Sequence, residues 1–187
     1  MRILLVLTIA VIFSGVACSS AGQSKALTPT TLPSPTPSPL QAPRVGKTAP
    51  DFTLDTLDGS RKVHLSDFRG RAVLLLFWES TCSACVKELS VVQKFSVQQK
   101  VASKQIVVLA VDIDKVSDFV NVTALQARLG LTYPILVDDH FQARSSYQVA
   151  NVPVTYFIDS QHVIRAIVQE PLDDTSLHKA VDSVERG

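Results

Sequence analysis

The chain has 187 residues, 46% of them apolar, and a formal net charge of +1. That length suits one domain with appendages, and the apolar fraction is enough for a packed core. Lysines and arginines are scattered, with Arg61-Lys62 as an adjacent pair and Arg69 and Arg71 close by in the middle of the chain. A clustered basic face is therefore missing, and nucleic acid is not an expected partner.

In chain order, Met1-Arg2 precede an apolar run from Ile3 to Phe13, which ends in the small residues Ser14-Gly15-Val16-Ala17-Cys18. One positive charge, a short apolar stretch and small residues make a secretory signal. The stretch of about 15 residues falls short of the roughly 20 that a membrane-spanning helix needs. Gly15-Val16-Ala17-Cys18 resembles the lipobox of bacterial lipoproteins, with Gly15 where that pattern prefers leucine. Cleavage there would leave Cys18 first, its thiol carrying lipid and holding the protein to a membrane. Ordinary cleavage after Ala17 or Ala21, or an uncleaved anchor, is the alternative. Lipidation also accounts for the odd cysteine, since the chain has three: Cys18, Cys82 and Cys85.

Residues 19–43 are dominated by Ser, Thr, Pro, Ala and Gln, with prolines at 29, 33, 35, 37, 39 and 43. Proline removes backbone donors and fixes φ, so neither helix nor sheet is expected. Such a segment is either a semi-rigid spacer, at about 3.1 Å per residue, or a featureless leader. The expected organisation is a signal at residues 1–18, a disordered linker at 19–43 and a folded domain at 44–187.

Within the domain, Phe52-Thr53-Leu54 and Lys62-Val63-His64-Leu65 flank Leu57-Asp58-Gly59 and read as a small hairpin. Val73 to Trp78 is continuously apolar, the pattern of a strand buried on both faces. Ser80-Thr81 stand at the expected N-cap of a helix from Cys82 to about Lys100, with Val86, Leu89, Val92 and Phe95 as its buried stripe. Ile106 to Val111 is a second buried strand, closed by Asp112-Ile113-Asp114. A helix from about Val116 to Leu129 ends at Gly130. Ile135 to Val137 is a short strand, and Phe141 to about Tyr147 a weaker helix. Val154–Ile158 and Val163–Val168 form a hairpin around Asp159 to His162. Asp173-Asp174-Thr175 cap a last helix running to about Glu185. Strand–helix alternation implies parallel pairing and the terminal hairpin adds antiparallel strands. The expected fold is α/β, a mixed sheet flanked by helices, with an N-terminal β-hairpin.

Cys82-Ser83-Ala84-Cys85 is a C-x-x-C motif directly after a buried strand. At helical spacing both sulfurs lie on one face, near enough to bond. Free N–H groups and the dipole at the helix start favour thiolate on Cys82. A zinc site needs a second ligand pair, and His64, His140, His162 and His178 offer none at metal-ligand spacing; no metal is expected. A structural disulfide closing so short a loop would stabilise little. A thiol peroxidase would want Pro and Thr upstream of the reactive cysteine, where Leu75 and Glu79 stand. A binding or metal-delivery module would be expected to show wider cysteine spacing and a matched histidine.

Three ordered stretches carry a resemblance. They are Phe77 to Leu89 around the cysteines, Tyr147 to Asp159 around Val152-Pro153, and Ala49-Pro50-Asp51-Phe52-Thr53-Leu54 with Leu65-Ser66-Asp67-Phe68-Arg69-Gly70. Together the chain resembles the TlpA/ResA-like family of membrane-tethered thioredoxin-fold thiol–disulfide oxidoreductases, within the AhpC/TSA redoxin superfamily. The resemblance implies a thioredoxin-like fold over about residues 45–185 and a redox-active Cys82–Cys85 disulfide, with no other cofactor. It implies a cis Val152–Pro153 peptide against that disulfide, where sequence alone leaves an ordinary trans proline open. Val152 would then offer its backbone to a substrate chain. Trp78 and Thr81 are the other expected substrate contacts. Leu76 stands where thioredoxin keeps a buried acid. In the resembled family a glutamate six residues after the first cysteine takes that part, and Glu88 occupies the place, with a plain surface charge beside Lys87 as the alternative. The implied partners are disulfide-containing exported proteins, among them apocytochrome c, and a thiol-reducing membrane electron donor. The chain departs from the family at Thr81, where tryptophan is usual, and at Ala84 and Ser90, where proline is frequent. Gln169-Glu170 stand where a glycine is common.

Overall fold

A computed structural model of the protein describes residues 42–101 and 106–185. The signal segment, Cys18 and residues 19–41 of the expected linker lie outside the described residues. In chain order the strands are β1 (Thr53–Thr56), β2 (Lys62–His64), β3 (Val73–Trp78), β4 (Val107–Asp112), β5 (Ile135–Val137), β6 (Val154–Ile158) and β7 (Ile164–Val168). The helices are α1 (Ser83–Val101), α2 (Phe119–Leu129), α3 (Gln142–Ser146) and α4 (Asp174–Glu185).

The strands form a seven-stranded mixed sheet in the order β2-β1-β5-β4-β3-β6-β7. β3, β4 and β5 are mutually parallel; the other neighbours run antiparallel. The two central strands are buried along their whole length, as unbroken apolar runs require. Successive side chains point to opposite faces, so β3 feeds two cores. Val73, Leu75 and Phe77 pack with Phe52, Tyr147 and Tyr156 on one face, where α3 contributes Ala143. Leu74, Leu76 and Trp78 pack on the other with Leu89, Val92 and Phe95 of α1, Val122 of α2 and Leu177 of α4.

Several boundaries differ from the sequence reading, each for a local reason. The first long helix begins at Ser83, because the Cys82 N–H turns back to the Glu79 carbonyl at 3.2 Å and delays it. Its cap is therefore Cys82 rather than Ser80-Thr81. Its buried face is Cys85, Glu88, Leu89, Val92, Phe95 and Ser96, with Val86 only partly covered. Asp112 continues β4 instead of closing it, since it still pairs with Trp78 and Val137. The helix expected from Val116 is a 3-10 turn, Val116–Asp118, followed by α2. Gly130 caps α2 at φ 62, a left-handed conformation that only glycine adopts without strain.

Candidate active site

The register of the sheet makes the site. β3 ends at Trp78 and leads through Glu79-Ser80-Thr81 to Cys82, while β6 starts beside that end, with Val154 opposite Phe77. The segment entering β6 therefore arrives next to the segment leaving β3. Cys82 and Cys85 are joined by a disulfide with Cα atoms 5.2 Å apart. The Val152–Pro153 peptide is cis, and the Val152 carbonyl oxygen lies 3.9 Å from Cys82 Sγ.

Cys82 occupies the cap position of α1. Its carbonyl accepts the Val86 N–H at 3.1 Å, the first turn of the helix, and its Sγ accepts the Cys85 N–H, also at 3.1 Å. A sulfur at a helix start that receives an amide hydrogen is stabilised as thiolate when the disulfide opens. The two sulfurs are unequal: Cys82 is partly exposed, whereas Cys85 is 0% exposed. An incoming sulfur can reach only the first.

Glu88 is 1% exposed although its neighbour Lys87 faces solvent, so it is not a surface charge. It lies three residues beyond Cys85 on the same buried face of α1. Its Oε1 accepts the Thr155 hydroxyl at 2.7 Å, and its Oε2 has no hydrogen-bond partner among the described residues. Burial raises its pKa above the ordinary glutamate value, against smaller opposing effects of the Thr155 hydroxyl and the Leu172 main chain. The buried Tyr133, whose hydroxyl donates to the Leu89 carbonyl at 3.1 Å, is itself pushed upward by burial and by the Glu88 charge.

Cys82, Cys85, Val152 and Pro153 are thus brought together, and Glu88 stands one turn inward from Cys85. Thr81 is exposed beside them, and Val152 is half-buried. Trp78 is a correction: it is 0% exposed and packs among Leu76, Cys85 and Leu89 in the core, out of reach of a docked chain. Its place at the carboxyl end of a central strand, pointing under α1, explains this. Sequence reasoning missed Thr155. The signal was available in the alternation of β6, where Thr155 and Phe157 share the α1 face and Thr155 is the polar member.

Comparison with known proteins follows the same lines. Residues 45–167 match the AhpC/TSA family. The chain is 32% identical over 141 residues to thiol-disulfide oxidoreductase ResA of Geobacillus thermodenitrificans, covering 75% of this chain and 78% of that protein. It is 36% identical over 123 residues to the thioredoxin-like protein YneN of Bacillus subtilis, covering 65% and 69%. A Chlorobium tepidum protein assigned as thiol:disulfide interchange protein DsbE superposes with a TM-score of 0.65 at 27% identity, over 76% of this chain and 99% of that one. With an exposed sulfur bonded to a sealed one at the start of a helix, the chain belongs to the AhpC/TSA family as a ResA-like thiol–disulfide oxidoreductase of thioredoxin fold.

Proposed function

We propose that the protein works outside the cytoplasm, held to a membrane by lipid on Cys18, and reduces disulfides of exported proteins through Cys82 and Cys85. Haem-attachment cysteines of apocytochrome c are one client class. The observation that carries the reading is the inequality of the two sulfurs, one at the surface and one sealed.

The Cys82 thiolate attacks one sulfur of the client disulfide, forming a mixed disulfide and releasing the client's other sulfur as a thiolate that takes up a proton. Cys85 then gives its proton to the Glu88 carboxylate and attacks Cys82 Sγ. The Cys82–Cys85 bond forms, the mixed bond breaks, and the client's second thiolate is protonated. Two electrons pass from the dithiol to the client. A thiol-reducing membrane donor restores the dithiol. In docking, an extended client segment pairs with the Val152 backbone beside the exposed Thr81. The N-terminal signal pattern and Gly15-Val16-Ala17-Cys18 support the location.

The test is insulin-disulfide reduction by the full chain with dithiothreitol as donor. The wild type should accelerate it over reductant alone. Cys85→Ser should accumulate a mixed disulfide with exported clients in the host, and Cys82→Ser should accumulate none. Equal trapping by both variants would overturn the assignment of attacking and resolving sulfurs.

A further inference from the structure

The exchange reaction makes no use of the two aspartates at the carboxyl end of β4. Asp112 ends that strand directly opposite Trp78 and, by alternation with Val108 and Ala110, points to the α1 face. It is 0% exposed. Its Oδ1 accepts the Asp114 N–H at 3.2 Å, and its Oδ2 has no hydrogen-bond partner among the described residues. Asp114, also buried, accepts the Ser80 N–H on Oδ2 at 2.6 Å. Ser80 belongs to the turn that the Cys82 N–H closes on the Glu79 carbonyl. The Ile113 N–H donates to the Trp78 carbonyl at 3.1 Å, and the Asp138 N–H to the Asp112 carbonyl at 3.0 Å. The turn leading to the attacking sulfur is thus tied to β4 through a carboxylate, and a second carboxyl lies beneath it.

A buried carboxyl with one oxygen that meets no donor resists ionisation at neutral pH, because its charge is desolvated and is repelled by neighbouring carboxylates. We propose that Asp112 keeps its proton in the folded protein and that Asp112 and Asp114 act as positioning residues for Cys82, Asp114 anchoring the Ser80 N–H through its side chain. The charged groups facing Asp112 are Asp114 from its own loop and Glu79 from the β3 turn. Burial first, then the nearby Asp114 side chain and the Glu79 charge, push its carboxyl up to about 8. Losing the Asp112 proton adds a negative charge beside the end of β3, from which the turn to Cys82 departs. Thiolate formation on Cys82 and ionisation of Asp112 therefore oppose one another, and by linkage each makes the other less favourable. The proposal rests on Cys82 being the attacking sulfur, and a loss of insulin reduction would count against that reading without touching the carboxyl titration.

The experiment follows the Asp112 side-chain carboxyl by 13C resonance against pH in the full chain, oxidised and reduced. Its midpoint should lie above pH 7 and should move up by about half a unit or more on reduction. In parallel, iodoacetamide alkylation of Cys82 in the reduced chain, resolved by mass spectrometry, should show two inflections with pH. The upper one should vanish in Asp112→Asn. Asp114→Ala, which loses the acceptor for Ser80, should slow alkylation, and Asp114→Asn, which keeps one, should restore it. An Asp112 titration near pH 4, a midpoint unmoved by reduction, or an upper inflection that survives in Asp112→Asn would each overturn the proposal.

Discussion

At Glu88 one carboxylate oxygen accepts the Thr155 hydroxyl and the other completes no close hydrogen bond among the described residues, with the Leu172 main chain only weakly favouring the charge. A group so placed is reluctant to ionise, yet once ionised it is a strong acceptor for a thiol proton. Its raised pKa fixes the sign of its effect: the basic form accumulates only as pH rises through that raised value. Resolution of the mixed disulfide should therefore accelerate with pH in the wild type and become flat in Glu88→Gln, with a loss of about 10²-fold on the alkaline side. Single-turnover decay of a preformed mixed disulfide measures this, and parallel profiles would remove Glu88 from the proton path. Thr155→Val takes away a hydrogen bond that favours the charged form, so the same inflection should move to higher pH. A downward move would mean that the hydroxyl does not act on this carboxylate. Of these two residues Glu88 is legible in the sequence through resemblance, whereas Thr155 shows only as the polar member of its face of β6. Thr155 lies 67 positions away in the chain, and the fold alone joins them.

At the scale of elements, the sequence reading recovered those whose signal is local. The central strands announce themselves as apolar runs, and α1 as a stripe at helical spacing. What it missed depends on non-local pairing. β5 is only three residues long, yet it sits between β1 and β4 and joins the N-terminal hairpin to the sheet. Nothing in Ile135-Leu136-Val137 foretells that place. Trp78 is expected as a substrate contact from the family resemblance, but its place under α1 puts it in the core. Asp112 was read as the end of a strand because it is charged; its burial beside Trp78 follows from register, not from composition. The end of α2 was legible because glycine is a local signal. Gly130 has open space where a Cβ would stand, so the cost of substitution is conformational alone. Gly130→Ala should lower stability by about 1 kcal/mol, and Gly130→Asn by less, since asparagine tolerates the left-handed region. Denaturant titration measures both, and equal stability of all three chains would refute the strain argument.

Over the whole molecule, the folded domain carries buried acids of two kinds, and they act in different pH windows. Asp112 and Glu88 are buried with raised pKa values, so between the unfolded range near 4 and their own folded values the native state binds more protons than the unfolded chain. The stability they permit is complete below about pH 4 and is lost as pH rises through the folded values, toward about 8 for Asp112. Asp159 behaves oppositely. Burial works against its charge, but N–H groups of Val163 and Gln161 and the Arg165 guanidinium at 2.6 Å hold its carboxyl below the ordinary range. Its contribution is present above the unfolded value and lost as pH falls through the folded one. A stability profile should therefore bend on both sides, with Asp159 shaping the acid limb and the pair of buried acids the decline above it. Asp112→Asn keeps the size of the side chain and removes only the ionisation. Relative to wild type its stability should rise with pH above about 5, by at most about 1.4 kcal/mol per pH unit, while the two chains stay parallel below about 4. Asp159→Asn should do the reverse, with a cost that is largest at neutral pH and shrinks below about 4 as the wild-type carboxyl protonates. Urea unfolding of the oxidised chains across that range measures both, and an Asp112→Asn curve parallel to wild type through pH 8 would show that this carboxyl is already ionised in the folded protein.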